Sequence, residues 1–229
     1  MARLSIIMPV LDEGEGIAGA LDALAELRAL GVEVIVVDGG SQDATVQRAR
    51  LRADHVLLSP PGRALQMNAG AAKASGDVLL FLHADTRPPP EAEGLVLDGL
   101  ARSTHHWGRF DVTIAGRHPM LPLIGFMMNL RSRITGIATG DQAIFVKRDA
   151  FREAGGFPAI PLMEDIALSK KLKRAGRPLC LRERAITSGR RWETHGVFRT
   201  ILLMWRLRLA YFFGADPATL ARRYGYGGG

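Results

Sequence analysis

Three of the four short apolar runs in the first part of the chain end on carboxylates. Residues 4–10 lead into Asp12 and Glu13, residues 32–37 into Asp38, and residues 77–82 into His83-Ala84-Asp85. A further acidic pair, Glu164-Asp165, opens a later helical stretch. Carboxylates gathered at one place have two chemical uses. Ionised oxygens hold a hard divalent cation, and a carboxylate beside a hydroxyl can take its proton. Plainer roles exist for the same residues: a solvated acidic turn, or acids opposing the positive end of a helix dipole. Residue type alone does not separate these acids from the rest of the 23 in the chain.

Position does, and position follows from the elements. Leu4-Ser5-Ile6-Ile7-Met8-Pro9-Val10 is short, apolar and β-branched, the signature of a buried strand. Residues 17–30 carry Ile17, Leu21, Leu24 and Leu27 at helical spacing, with Gly31 as the stop. Residues 32–37 form a second strand, 44–53 a helix, 54–58 a third strand, 63–74 a helix ending near Gly76, and 77–82 a fourth strand. Strands alternating with helices predict an α/β fold with a mostly parallel sheet and helices on both faces. In such sheets ligands bind beyond the carboxyl ends of the strands, where Asp12, Glu13, Asp38 and Asp85 fall. The second half is less regular. It predicts strands over 109–115 and within 140–147, a helix over 164–175 and a long helix over 197–213. The Gly227-Gly228-Gly229 tail is expected to lack structure.

A formal charge of +7 favours anionic partners without choosing among nucleotide phosphates, acidic headgroups and nucleic acid. The single cysteine, Cys180, excludes an intrachain disulfide and a thiolate zinc cluster, and suits a reducing cytosol. The chain enters its first strand straight after Met1-Ala2-Arg3, so no signal peptide is expected. No apolar run reaches the ~20 residues of a spanning helix; residues 119–130 are apolar, but Pro122 and Gly125 interrupt them. Gly14-Glu15-Gly16-Ile17-Ala18-Gly19 matches the dinucleotide-binding pattern. Leu11-Asp12-Glu13 nevertheless separates those glycines from the strand end and sets two carboxylates where a pyrophosphate would lie.

The short motifs occur in a telling order: Pro9-Val10-Leu11-Asp12-Glu13, then Asp38-Gly39-Gly40-Ser41-Gln42-Asp43-Ala44-Thr45. Next come Gly62-Arg63 with Gln66, Asn68 and Gly70, then Phe81-Leu82-His83-Ala84-Asp85-Thr86. Met163-Glu164-Asp165 and Arg190-Arg191-Trp192 close the series. Together they resemble an inverting family 2 glycosyltransferase of the GT-A fold, from residue 4 to about residue 195. The resemblance implies a Rossmann-like nucleotide-diphospho-sugar transferase whose mostly parallel mixed sheet is flanked by helices. It divides one domain, 1–229, into a nucleotide-binding half (1–86), an acceptor half (87–196) and a C-terminal helical segment (197–226).

Roles follow from the resemblance. Pro9, Val10, Leu11 and Glu13 help hold the nucleoside, with Asp12 in place of the commoner Asn. Asp38 accepts from a base imide N–H, and Gly39 and Gly40 let the base approach the backbone; Asp43 reads better as a helix N-cap. Arg63 meets the diphosphate with its forked guanidinium, and Asn68 belongs to the same stretch. Asp85, with Ala84 beside it, holds a divalent cation, Mn2+ or Mg2+, that offsets charge on the departing diphosphate. His83 stands where the family has a first Asp, and an imidazole suits manganese better than magnesium. His195 is a further ligand candidate. Asp165 is the expected general base, with Glu164 as second choice. Arg191 and Trp192 are expected near phosphate and sugar, and Asp141 in the acceptor pocket.

Residues 197–213 are long, apolar and basic, and could lie on an anionic bilayer with Trp205 and Tyr211 near the headgroups. Arg199 and Arg206 share a helix face, but Arg208 falls nearly opposite and spoils the pattern. Packing on the core or on a second subunit is the other reading. The sequence thus predicts a cytoplasmic enzyme with a nucleoside-diphosphate sugar donor; it leaves the acceptor open, with a lipid-linked acceptor and a peripheral place on the cytoplasmic membrane face as one option. A homo-oligomer stays open, and no nucleic-acid partner is expected. The alternatives are a nucleotidyltransferase, whose first loop should be basic rather than acidic, an NAD-dependent oxidoreductase, or a non-catalytic membrane-surface module.

Overall fold

Strand β1 (Leu4–Val10) is buried along its whole length. Its side chains alternate between two cores: Leu4, Ile6, Met8 and Val10 face one and Ile7 the other. Strands β2 (Glu33–Asp38) and β4 (Val78–Phe81) follow the same rule, with Val34, Val36, Val78 and Leu80 on the first side and Ile35, Val37, Leu79 and Phe81 on the second. A sheet covered on both faces needs runs that are apolar at every position, which is why these strands were legible as unbroken apolar segments. The computed structural model describes residues 2–225; the Gly227–Gly229 tail lies outside the described residues.

Eight strands form one sheet in the order β3-β2-β1-β4-β7-β6-β8-β5. Strand β3 is His55–Leu58, β5 Thr86–Arg87, β6 Trp107–Ala115, β7 Phe145–Lys147 and β8 Leu179–Ser188. Strand β1 runs parallel to β2 and β4, and β2 parallel to β3. Strand β7 is antiparallel to both β4 and β6, β6 is parallel to β8, and β5 is antiparallel to β8. The sheet is therefore mixed, and it runs unbroken through both halves of the chain.

The helices are α1 (Ile17–Asp22), α2 (Ala25–Ala29), α3 (Thr45–Arg50), α4 (Arg63–Lys73), α5 (Ala92–Ala101) and α6 (Leu121–Thr135). They continue with α7 (Arg148–Glu153), α8 (Glu164–Leu172), α9 (Arg190–His195), α10 (Val197–Phe212) and α11 (Pro217–Tyr224). The helix expected over 17–30 is two helices. Leu24 N–H bonds to the Leu21 carbonyl, a tighter turn than an α-helix makes, while Ile17, Leu21, Leu24 and Leu27 all stay buried. The apolar run at 119–130 is not interrupted but helical. Pro122 sits in the first turn of α6, where the missing N–H has no intrahelical use. Gly125 lets α6 press on β6: a Cβ there would lie 3.2 Å from the Val112 carbonyl oxygen. No helix among the described residues is long and apolar enough to cross a membrane.

Candidate active site

A cleft of about 530 Å³ opens beyond the carboxyl ends of β1, β4 and β8. Ten of the residues singled out from the sequence line it: Glu13, Arg63, His83, Asp85 and Asp141 on one part of the wall, and Glu164, Asp165, Arg191, Trp192 and His195 on the rest. These come from six different segments, so the cleft exists only in the folded chain. Three non-glycine residues have positive φ among the described residues: Asp12 (51°), Ala143 (47°) and Met163 (68°). Each adjoins a stretch that reaches the cleft. Such conformations cost about 1–3 kcal/mol and persist where the surroundings impose them.

The floor of the cleft is set by loops tied to one another. Asp43 Oδ2 accepts from the Gly14 amide at 2.8 Å and its Oδ1 from the Thr45 amide at 2.9 Å. The Thr45 hydroxyl, which also donates to Oδ1, and then these amide bonds hold Asp43 below the ordinary carboxylate range. They also occupy the Gly14 amide that a dinucleotide fold would turn on a pyrophosphate. Glu13, fixed through its amide to Thr45 Oγ1 at 2.9 Å, has its pKa raised by burial and by nearby Asp85, against the opposing pull of Arg190 and Arg63.

His83 lies over the turn at Gly140–Gln142. A Cβ on Gly140 would fall 2.2 Å from the imidazole, so glycine is required for this approach. The His83 Nδ1 is 3.9 Å from Asp141 Oδ1. Burial, then Arg63, pushes the His83 pKa down to about 4, against Asp85 and Asp165. The ring is therefore neutral near pH 7 and able to act as a ligand. Burial raises Asp141 as well.

Helix α8 opens on the acidic pair. Met163, in the left-handed conformation, turns the chain into Glu164 and Asp165. Asp165 Oδ2 accepts from the Gly140 amide at 3.0 Å, and its Oδ1 from the Ile166 amide at 2.6 Å. These bonds fix the carboxylate against the turn beneath His83. Glu164 is buried, and burial with the adjacent Asp165 raises its pKa to about 7. Glu164 therefore keeps its proton to a higher pH than an ordinary carboxyl does.

Several expected donor contacts sit outside the cleft wall. Asp38 is buried at the end of β2, and its carboxylate accepts from the Gly40 and Ser41 amides at 2.8 and 2.9 Å and from Ser41 Oγ. Gly39 makes room for Gln66, whose amide bridges the Val10 and Val37 carbonyls at 2.8 Å each. Pro9 and Val10 are buried in β1, Leu11 is exposed, and Ala84 packs on the core. Both ends of the Asn68 amide are engaged by the Phe157 backbone, at 2.8 and 3.0 Å. Asn68 thus fastens the 157 segment. Arg191 stacks on Tyr224 at 3.7 Å and donates to its carbonyl at 3.0 Å, tying α11 to the cleft. His195 is exposed, with Nδ1 3.2 Å from the Arg191 carbonyl.

Arg190, from the Arg190-Arg191-Trp192 motif, also lines the cleft, together with two polar residues to which the sequence assigned no site role, Thr187 at the end of β8 and Arg208 on α10. Arg208 left a signal. Its position opposite Arg199 and Arg206 broke the amphipathic pattern because it points inward.

Among the described residues no three His, Cys, Asp or Glu side chains converge to cage a metal ion. Asp85 and the neutral His83 instead offer one carboxylate and one imidazole beside Arg63. Such a partial set fits a cation that arrives with a diphosphate and keeps phosphate and water ligands.

Residues 5–152, more than half of the chain, match the model of glycosyl transferase family 2. The chain belongs to that family. Membership sets aside the nucleotidyltransferase and oxidoreductase alternatives. Among solved structures, this family 2 glycosyltransferase has the GT-A fold of Staphylococcus aureus TarS (residues 1–349), with TM-score 0.65, 19% identity, and coverage of 82% of this chain and 60% of that one. A mannosyltransferase from Pyrobaculum calidifontis, solved with GDP-Man and Mn2+, gives TM-score 0.64 and 22% identity over 91% of this chain and 61% of the other. A curated relative, the undecaprenyl-phosphate 4-deoxy-4-formamido-L-arabinose transferase of Yersinia pestis (strain Pestoides F), is 31% identical over 100 residues. That match covers 39% of this chain and 31% of the relative, so the chain matches under a third of that protein's length.

Proposed function

We propose that the cleft transfers a hexose-type sugar from a nucleoside-diphosphate sugar to an acceptor hydroxyl with inversion, and that the whole chain acts as one catalytic unit. The observation that carries the reading is the meeting of Glu13, Arg63 and Asp85 with Glu164 and Asp165 in a single cleft at the strand ends. Arg63 takes the diphosphate through its guanidinium. Asp85 and His83 would hold Mn2+ or Mg2+, which supplies charge neutralisation to the departing diphosphate. Asp165, fixed by the Gly140 amide, takes the acceptor proton. Glu164, protonated up to near pH 7, leaves that role to its neighbour. Trp192 lines the acceptor side.

The acceptor is lipid-linked in this reading, and two helices support it. Helix α10 exposes Phe198, Leu202, Trp205, Leu209 and Phe212 along one stripe, with Trp205 71% exposed. Helix α6 exposes Leu123, Phe126, Met127, Leu130 and Ile134, with Phe126 59% exposed. Their inner faces share one apolar cluster. No acid occurs between Asp111 and Asp141 or between Glu193 and Asp216, so every charged residue of α6 and α10 is an arginine. With Arg208 turned inward, the objection to an amphipathic α10 disappears. A basic, aromatic-bearing apolar face suits an anionic bilayer at the cytoplasmic side, whereas two copies of it would bring like charges together.

Thermal shifts with UDP, GDP, TDP and CDP, with and without Mn2+, test the donor assignment. One diphosphate should stabilise the protein in a Mn2+-dependent manner, and Asp85→Ala should abolish the Mn2+ effect. Stabilisation that ignores Mn2+ removes the role given to Asp85.

A further inference from the structure

Helix α6 and its neighbours carry three arginines near the cleft, and two of them are satisfied. Arg109 on β6 is fully buried, paired with Asp111 and donating to Ser132 Oγ at 3.1 Å and to the Asn129 carbonyl at 3.2 Å. Arg133 pairs with the other oxygen of Asp111 at 2.7 Å and donates to the Cys180 carbonyl at 3.2 Å. The fold can therefore neutralise a buried guanidinium on this wall. Arg131 is the exception. Its Nε and Nη2 are withdrawn from water and have no hydrogen-bond partner among the described residues.

Arg131 is also beside another cation. Arg208, projecting from α10 into the cleft, is its strongest charged neighbour, followed by Asp165. Burial and that like charge lower the Arg131 pKa to about 10, and burial lowers Arg208. An unpaired buried charge is among the costliest groups a fold can carry. Two adjacent guanidinium groups with free donors are the usual complement of a tetrahedral dianion, which accepts several forked hydrogen bonds at once. Asp165 and Asp141 attract both groups only at longer range, and neither carboxylate forms an ion pair with Arg131 or Arg208 among the described residues.

We propose that Arg131 and Arg208 form a second oxyanion site, separate from Arg63, that holds a phosphate monoester of the acceptor beside Asp165. The inference rests on the transferase reading of the cleft and adds the acceptor's chemical class. The phosphate can be the headgroup of a lipid lying against the α6 and α10 stripes, or part of a soluble phosphorylated acceptor. Both present the same oxyanion.

Calorimetric titration of the full chain with inorganic phosphate and with glycerol 3-phosphate, at constant ionic strength and with the preferred nucleoside diphosphate and Mn2+ saturating, tests the site. Arg131→Gln and Arg208→Gln should each weaken phosphate binding about tenfold or more, the loss expected when charge-assisted bonds go. Arg63→Gln should weaken the nucleotide and, at a nucleotide concentration raised until it is again saturating, leave phosphate affinity at the parent's value. Without phosphate, Arg131→Gln should melt no lower than the parent, because the lost cation had no partner; a structural arginine would give the opposite result. Should the Gln variant fail to fold, Arg131→Lys keeps the charge, loses the fork, and should still weaken phosphate. Unchanged phosphate affinity in both the Arg131 and Arg208 variants overturns the proposal, as does absence of phosphate binding by the parent. Competition by phosphatidylcholine vesicles containing phosphatidic acid identifies a lipid source, and competition by glycerol 3-phosphate alone a soluble one. Phosphate binding without any nucleotide binding would sink the donor reading and leave this site standing.

Discussion

Replacing Glu164 by Gln removes a buried, strongly perturbed carboxyl from the cleft while keeping its shape. Its pKa rises from 4.5 to about 7 because burial and Asp165 both oppose its charge. A pKa raised on folding means that the folded chain holds a proton the unfolded chain has already lost. The stability this group contributes is therefore complete below about pH 4.5 and is lost as pH rises through about 7. At roughly 1.4 kcal/mol per unit, and discounted for coupling to Asp165, the loss is on the order of 2–3 kcal/mol. Gln carries no such burden. The variant and parent should melt close together near pH 5, draw apart as pH rises to about 7 and stay apart above it, with the variant then higher by roughly 4–10 °C for a chain of this size. Calorimetric melting of the ligand-free protein between pH 5 and 8.5 reads this directly. A constant gap across that range, or a variant that melts lower at pH 8, would refute the account of Glu164 as a buried, protonated acid.

Other expectations bear on the same architecture. Gly140→Ala should destabilise the protein by about 1–3 kcal/mol in chemical denaturation, since the new Cβ meets the His83 ring; a neutral substitution would show that His83 does not rest on this turn. Flotation with phosphatidylglycerol-containing vesicles should carry the protein upward, and Trp205→Ser together with Phe126→Ser should release it. Equal flotation with purely zwitterionic vesicles, or none at all, contradicts the bilayer-facing role of α6 and α10.

The first half of the fold was readable because β1, β2 and β4 are covered on both faces. Their apolar runs are continuous, and the acids that end them mark the ligand edge of the sheet. Asp85 and Glu13 followed from that logic alone. Asp165 did not: locally it is one of two acids at a helix start, and only the Gly140 amide, distant in sequence, shows how the fold fixes it. For Asn68 and Asp38 the motifs gave no sign of the bonds that the fold makes with their polar atoms, to the Phe157 backbone and to the Gly40–Ser41 turn. Helix α6 was hidden by Pro122 and Gly125, residues that break helices in mid-course but are suited to a first turn and a close sheet contact. Arg208 showed only as a break in the amphipathic pattern of its helix and Arg131 not at all, because what distinguishes them is a proximity between helices that the one-dimensional spacing does not encode.

The central claim is that Asp165 takes the acceptor proton in a cleft that binds its donor by other groups. Asp165→Asn should leave nucleoside-diphosphate affinity within about twofold of the parent, while transfer from the matching sugar nucleotide falls about 10²–10⁴-fold. Parallel calorimetry and a turnover assay on this one variant make the measurement. Loss of transfer with binding retained is the predicted result. Full turnover by Asp165→Asn would contradict it.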